Sequence, residues 1–170
     1  TDAFATIQEA IDAVVTDGTI VVNGGIYASA DLDDGKVLRV TGLDTAQTVT
    51  IDALTGVAGT TVEIQGSSSL VIGDASNQTI ASSITGAGSL TKQDSGTVSL
   101  TEASNFSGAL DVDAGSVVVD SGSFSALGSV AIDAGTLQVI NGGSVVVSGS
   151  VTNEAGAGSL LVDDGTMTVG

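Results

Sequence analysis

Residues 86–119 read "GAGSLTKQDSGTVSLTEASNFSGALDVDAGSVVV", and this stretch decides the fold. It consists of short runs in which apolar and polar residues alternate, each preceded by a glycine. Alternation places the apolar side chains on one face of a strand. Loops of a few residues can turn a corner, but a parallel crossover needs about a dozen. We therefore expect each strand to pair with its equivalent one turn of chain later.

The unit Gly-(Ser/Thr)-apolar-x-apolar recurs through the second half of the chain. Its copies begin at Gly88, Gly96, Gly108, Gly115, Gly128, Gly135, Gly143, Gly158 and Gly165. Alternate copies are separated by 19 or 20 residues from Gly88 to Gly135. A period near 20 without helices predicts a coil with one turn of the chain per repeat. A meander of antiparallel hairpins stays open, because glycine-rich turns also suit hairpins.

The glycine before each strand has a conformational explanation in this scheme. Glycine adopts positive φ at no steric cost, which suits a residue at a corner. We therefore predict positive φ at these glycines. A phosphate-binding loop is not indicated, because no Lys-Ser/Thr pair and no helix follow.

The first 17 residues follow another pattern. Four apolar residues recur at the helical spacing of three or four positions: Phe4, Ile7, Ile11 and Val14. Such spacing predicts one buried stripe of a helix, and Asp2 stands where it would cap the first turn. We expect a helix over residues 2–15 that covers the first turn of the coil.

The chain is therefore predicted to be a single domain over residues 1–170. The fold class is all-β: a right-handed parallel β-helix with a short N-terminal capping helix. The coil occupies residues 19–170 and has about seven rungs, since about 150 residues at about 20 per rung are present.

Composition excludes several classes of partner. The chain has 20 acidic residues against three basic ones, a formal net charge of −17, and no His, Cys, Pro or Trp. This charge repels nucleic-acid phosphates and anionic lipids, so neither is expected as a partner. Without Cys or His the usual zinc, haem and iron–sulfur ligand sets are missing, and no cofactor is expected. No run approaches the roughly 20 apolar residues that span a bilayer.

The stretch that opens this section resembles the autotransporter-associated β-strand repeat. That repeat runs Gly-x-Gly-Ser-Leu-Thr-Lys, Gly-Thr-Leu-x-Leu, Asn-x-(Tyr/Phe)-(Ser/Thr)-Gly and Val-x-x-Gly-x-Leu. The matching positions are Gly86, Gly88, Ser89, Leu90, Thr91 and Lys92; Gly96, Thr97, Val98 and Leu100; Asn105, Phe106, Ser107 and Gly108; and Val112, Gly115 and Val117. Residues 43–85 match the repeat less well.

A second resemblance concerns the other end of the chain. Residues 4–28, "FATIQEAIDAVVTDGTIVVNGGIYA", are similar to the first turn of pectin-lyase-type β-helices, where a short helix plugs the coil. Both resemblances imply a right-handed β-helix. The repeat further implies the passenger of a secreted bacterial surface protein, extracellular and usually a rigid stalk.

Stacked carboxylates are one candidate for a site. Asp94, Asp113 and Asp133 are 19 and 20 residues apart, so coiling would place them at one corner, about a rung from each other. Close like charges repel or share a hard cation such as calcium. Aspartate is also an ordinary turn former. Turn chemistry is the favoured interpretation, and no metal site is assigned.

A catalytic constellation is poorly supported. Arg39, with Asp31, Asp33 and Asp34 nearby, is the one local group that could serve a glycan-cleaving β-helix. Sugar-binding clefts normally offer aromatic platforms, and this chain has only Phe4, Tyr27, Phe106 and Phe124. We expect no enzyme and assign no catalytic residue.

Three functions stay open at this point. The leading one is a non-catalytic structural or adhesive stalk of a secreted or surface-displayed bacterial protein. The second is a glycan-binding or glycan-cleaving β-helix, and the third is a fibre element that assembles end to end.

The last strand, "GTMTVG" at 165–170, bears on the partners. It ends without a polar cap over Met167 and Val169, and exposed strand edges invite further strands. We expect this chain to be the N-terminal piece of a longer repeat protein. The expected partners are further rungs of its own chain or another copy at this end; host or cell-surface glycans or proteins are additional candidates.

Overall fold

The computed structural model describes residues 4–41, 47–153 and 156–170. One helix, α1 (Ile7–Ala13), precedes the strands. The first strands are β1 (Thr19–Val22), β2 (Gly25–Leu32), β3 (Val37–Val40), β4 (Thr48–Gly56), β5 (Thr61–Ile64), β6 (Ser69–Gly73), β7 (Gln78–Ile80), β8 (Ser83–Gly86), β9 (Ser89–Gln93) and β10 (Thr97–Leu100). They are followed by β11 (Ala103–Phe106), β12 (Ala109–Val112), β13 (Ser116–Asp120), β14 (Ser123–Leu127), β15 (Ser129–Ile132), β16 (Thr136–Ile140), β17 (Ser144–Val147), β18 (Val151–Thr152), β19 (Ser159–Asp163) and β20 (Thr166–Val169).

The chain forms a parallel β-solenoid of about seven turns. One sheet has eight strands in the order β1-β3-β5-β8-β11-β14-β17-β20. The other runs β18-β15-β12-β9-β6-β4-β7-β10-β13-β16-β19, with β2 also paired to β4. The described strands pair in parallel throughout, so the antiparallel meander is excluded. The predicted parallel β-helix with a short N-terminal helix is confirmed.

The predicted period is confirmed in the central turns. Leu110 pairs with Leu90 on one side and Val130 on the other, 20 residues away in each direction. Val117 lies between Val98 and Leu137, at separations of 19 and 20. The same ladders place the alternate apolar residues inside, where Leu110, Val117 and Leu137 are buried. Stacked aliphatic side chains therefore form one core along the solenoid axis.

The sheets define three faces of the coil. Face I is the eight-stranded sheet. From β6 onward the larger sheet supplies two faces: face II carries β6, β9, β12, β15 and β18, and face III carries β7, β10, β13, β16 and β19. Chain order within a complete turn is therefore face I, face II, face III.

The two first turns differ because β2 and β4 are long. Strand β4 pairs with β2 over its length, but on its other side its start pairs with β6 and its end with β7. Between these two paired parts of β4, backbone groups are bonded by the side chain of Gln78. It accepts a hydrogen bond from the backbone N of Leu54 at 2.7 Å and donates to the carbonyl oxygen of Asp52 at 2.8 Å. This split lies within the part of the chain that matches the repeat less well.

Helix α1 is shorter than the predicted 2–15. Thr6 is the N-cap, and its side chain accepts from the backbone N of Glu9 while the Glu9 carboxylate accepts from the backbone N of Thr6. This capping box begins the helix at Ile7. Ile7 and Ile11 are buried as predicted, and Val14 ends the helix, packed against the core.

The prediction that Phe4 belongs to the buried stripe is wrong. Phe4 precedes the N-cap, and 56% of its surface is exposed. The proposed cap Asp2 lies outside the described residues. The helix still covers the first turn, since it packs on β1 and β2 and the Gln8 side chain accepts from the backbone N of Asp31 at 2.9 Å.

The positive φ predicted for the glycines before the strands is also wrong, with one exception. Of those nine, only Gly115 has positive φ, at 66°. The reason for glycine is close packing between turns: a Cβ on Gly108 would lie 1.3 Å from the carbonyl oxygen of Gly88. Left-handed corners are instead occupied by residues such as Asp94 and Asn141, which tolerate that conformation.

Candidate functional site

Arg39 is held by a residue that the sequence analysis did not consider. It lies on β3 opposite Glu63 of β5, and its Nε donates to Glu63 Oε2 at 2.8 Å. Hydrogen bonds from Gln65 and then from Arg39 lower the pKa of the Glu63 carboxyl. Both side chains are partly exposed on the outer surface. The pair therefore forms a cross-strand ion pair, a common stabilising element of sheets.

The three aspartates proposed beside Arg39 have other partners. Asp33 accepts from Lys36 Nζ at 2.6 Å, and that bond is the main cause of the raised pKa of Lys36. Asp31 accepts from the hydroxyl of Thr55 at 2.7 Å. Asp34 adopts positive φ at the corner that follows. Arg39, Asp33 and Asp31 therefore each bind a different partner, namely Glu63, Lys36 and Thr55.

The predicted stack of Asp94, Asp113 and Asp133 forms only in part. All three follow strands of face II. Lys92, Val112 and Ile132 pair with one another in successive turns. The next residue in each strand is therefore Gln93, Asp113 or Asp133, so Gln93 and not Asp94 is aligned with the other two aspartates. Gln93 Nε2 lies 3.4 Å from Asp113 Oδ2. Asp94 is displaced by one residue and takes positive φ.

The chemistry at this corner is that of a turn. The backbone N groups of Asp113 and Asp133 donate to carbonyl oxygens of Lys92 and Val112 in the previous turns. Asp133 Oδ1 is a buried oxygen without a hydrogen-bond partner. Within residues 4–41, 47–153 and 156–170, no group of three or more acidic side chains is arranged to hold a metal ion.

Lys92 is among the largest fully buried side chains of the described residues. It occupies an inward ladder position between Ile72 and Val112. Its ammonium donates to the carbonyl oxygens of Gln93 and, at 2.8 Å, of Asp94. Burial lowers its pKa, and the charges of Asp94 and Asp74 oppose that effect.

The sequence contains a signal for this burial. Leu90 is inward, so Lys92, two residues later on the same strand, shares its face. The arrangement fixes the turn after β9 by pairing its carbonyl oxygens with a cation.

The aromatic side chains do not form a platform for sugars. Phe106 and Phe124 are buried in the core, and Tyr27 is partly buried against it. Phe4 is exposed. A groove of about 200 Å³ lies between α1 and β2, lined among others by Gln8, Ile26 and Tyr27.

The C-terminal turn exposes its apolar side chains. Leu160 and Val162 of β19 continue the inward positions of Leu137 and Val139, yet they are 46% and 42% exposed. On β20, Met167 and Val169 continue the positions of Val145 and Val147. We call the four side chains of Leu160, Val162, Met167 and Val169 the C-terminal apolar face.

The edges around this face are also open in the sheet order. Strands β18 and β19 end the larger sheet, and β20 ends face I. The opposite end differs, because Ile7 and Ile11 of α1 cover the first turn. The two ends of the solenoid are therefore chemically distinct.

Comparisons with protein-family models, with curated proteins and with solved structures give no match. They show no family for this chain, and the resemblance to the autotransporter-associated repeat stays a prediction. Among the described residues, no helix is long and apolar enough to cross a membrane.

Proposed function

We propose that this chain is a non-catalytic structural element, a stiff spacer within a secreted or surface-displayed bacterial protein. In this role it holds adhesive or other parts of that protein away from the cell surface. The cellular location and the bacterial surface context follow from the resemblance to the autotransporter-associated repeat.

One observation carries the proposal: the inward positions stack from the first turn to the last in ladders that are largely aliphatic, with Lys92 and Ser104 among the buried polar members. Each strand is bonded to its equivalents in the neighbouring turns, and buried positions such as Leu38, Val62 and Ile84 stack along the axis. Bending such a rod would open backbone hydrogen bonds and apolar contacts together. This favours stiffness over a hinged or flexible arrangement.

The arrangement of charged groups supports the same proposal. Arg39 is paired with Glu63, Lys36 with Asp33, and Lys92 with backbone carbonyl oxygens in the core. A glycan-cleaving β-helix would use a basic side chain beside converging carboxylates in a cleft. The three basic residues of this chain each have a structural partner instead.

Single-molecule stretching between the two ends tests the proposal. A stiff spacer keeps its folded length as the force rises and then unfolds in discrete steps. Gradual lengthening at low force would contradict the proposal.

A depolymerisation assay on pectate and alginate, together with a glycan array, tests the alternative. We expect neither turnover nor saturable binding. Turnover that is lost in Arg39→Ala and retained in the matched variant Lys36→Ala would contradict the spacer role and show that the chain is an enzyme.

A further inference from the structure

Two Asn-Gly pairs of the chain have almost the same neighbours in sequence. Asn23-Gly24 is preceded by valine and followed by glycine, and Asn141-Gly142 is preceded by isoleucine and followed by glycine. Both pairs lie at corners of the coil, the first between β1 and β2 and the second between β16 and β17. All four residues are exposed. Local sequence and access to solvent therefore do not distinguish the two pairs.

An asparagine followed by glycine can lose its side-chain amide without an enzyme. The backbone nitrogen of the glycine gives its proton to solvent and attacks the asparagine Cγ. A bond forms between these two atoms, the bond from Cγ to Nδ2 breaks, and Nδ2 takes up a proton from solvent and leaves as ammonia. Water then opens the cyclic imide to aspartate or isoaspartate. Glycine favours the attack because it has no Cβ that restricts its backbone.

At Asn141 both reacting groups are held by neighbouring turns. The leaving group, Nδ2, donates to Asp120 Oδ1 at 2.8 Å. The attacking group, the backbone N of Gly142, donates to the carbonyl oxygen of Asp164. Closure of the imide ring requires that both hydrogen bonds open first. The fold therefore opposes the reaction at this pair.

At Asn23 the corresponding groups are not held by the described part of the chain. Within residues 4–41, 47–153 and 156–170, neither the Asn23 side-chain amide nor the backbone N of Gly24 has a hydrogen-bond partner. The Tyr27 hydroxyl donates to the backbone carbonyl oxygen of Asn23 at 3.3 Å, and this bond leaves the side chain free to turn. The reaction meets no such restraint here.

We propose that Asn23 is a site of spontaneous covalent modification, at which the side-chain amide converts to aspartate and isoaspartate through a cyclic imide with Gly24, and that the fold protects Asn141 from the same reaction. In the isoaspartyl product the main chain runs through Cγ and is longer by one carbon atom. The former backbone carbonyl of residue 23, which accepts from Tyr27, becomes a carboxylate. The modification therefore alters the corner that joins β1 to β2.

Peptide mass spectrometry of the folded 170-residue protein tests the proposal. The protein is kept in mildly alkaline buffer, sampled over time and digested with pepsin in acid, which slows the reaction. We expect the mass change from amide to acid to appear at Asn23 at least about tenfold faster than at Asn141, because two hydrogen bonds must open at the second site. Equal rates at the two sites, or a faster change at Asn141, would overturn the proposal.

The same chain unfolded in urea separates the effect of the fold from that of the sequence. Because the neighbours match, we expect the two sites to convert at similar rates in urea. In the folded protein, Asp120→Ala should accelerate the conversion of Asn141 and leave that of Asn23 unchanged, and Asn23→Gln should remove the early product. A tenfold difference that persists in urea, or an Asp120→Ala variant in which Asn141 converts no faster, would overturn the protection by the fold.

Discussion

The side-chain amide of Gln78 replaces a peptide group beside Leu54. Its Oε1 accepts from the Leu54 backbone N at 2.7 Å, and its Nε2 donates to the carbonyl oxygen of Asp52 at 2.8 Å. These two groups of β4 lie where the strand loses β6 as a partner and has not yet reached β7. A single buried glutamine thus joins the wide first turns to the three-faced coil.

Gln78→Ala should destabilise the protein by about 2–4 kcal/mol, because a buried backbone group left unpaired costs about 1–3 kcal/mol and a partly buried one costs less; the variant unpairs the buried N of Leu54 and the partly buried carbonyl oxygen of Asp52. Urea unfolding followed by circular dichroism measures the change. The control is Gln93→Ala, whose exposed amide has only a 3.4 Å contact with Asp113, and we expect a change within about 0.5 kcal/mol. Equal losses in the two variants would contradict the bridging role.

Leu137→Asp should unfold the coil or destabilise it severely, because Leu137 is fully buried between Val117 and Leu160 and a buried unpaired charge is costly. Val112→Asp should do the same. Gln138→Ala, on the outward face of the same strand, should change the melting temperature little. Similar melting losses at 137 and 138 would show that the inner and outer faces are assigned backwards.

Lys92→Ala should destabilise the protein by at least about 2 kcal/mol, because it leaves a cavity in the core. Lys92→Met should be milder, since it fills the space and removes a buried charge. Chemical unfolding of both variants at pH 7 measures the difference. A loss in the methionine variant as large as in the alanine variant would mean that the ammonium contacts, which both variants remove, outweigh packing at this position.

The stability of the wild type relative to Lys92→Met should rise with pH in the alkaline range. Burial lowers the pKa of Lys92 in the folded protein, whereas the unfolded chain has a pKa of about 10.4. Between these two values the unfolded chain binds the proton that the folded chain has lost, so stability increases with pH. Urea titrations from pH 7 to 10.5 test this. Below the folded pKa the difference should be flat, and a difference that is flat throughout would contradict the buried position.

Glu63→Gln should reduce the loss of stability at acid pH. Hydrogen bonds from Gln65 and Arg39 hold the pKa of Glu63 below its ordinary value, so its contribution is present above about pH 4.3 and is lost as the pH falls through the lowered pKa. Because the pair is partly exposed, the effect should be below about 1 kcal/mol. Melting temperatures from pH 2.5 to 6 measure it, and parallel curves for the two proteins would show that the pair does not contribute.

The repeating part of the fold could be predicted from the sequence because its physics is local. Alternation places Leu110 and Val112 inside, and a constant period near 20 brings Leu90, Leu110 and Val130 into one ladder. The first turns follow no such rule. Thr19 and Val37 pair across 18 residues, and Val37 and Thr61 across 24.

The partners of the candidate site residues depend on those irregular separations between paired strands. The partner of Arg39 is set by the 24-residue register that places Glu63 beside it, and short sequence distance to Asp33 was misleading. Asp94 is not aligned with Asp113 because its turn contains one additional residue, and Gln93 occupies the aligned position instead. Such shifts are set by corner conformation, which composition does not reveal.

The central claim is that each turn is an interchangeable unit of length in a stiff rod, and small-angle X-ray scattering on a lengthened chain tests it most directly. Tandem duplication of residues 109–128 after Gly128 adds one turn in register. We predict that each inserted copy lengthens the particle by about 4.8 Å along its axis, with an unchanged cross-section and an undiminished melting temperature. An insertion that leaves the axial length unchanged and widens the particle, or that remains unfolded, would contradict the account.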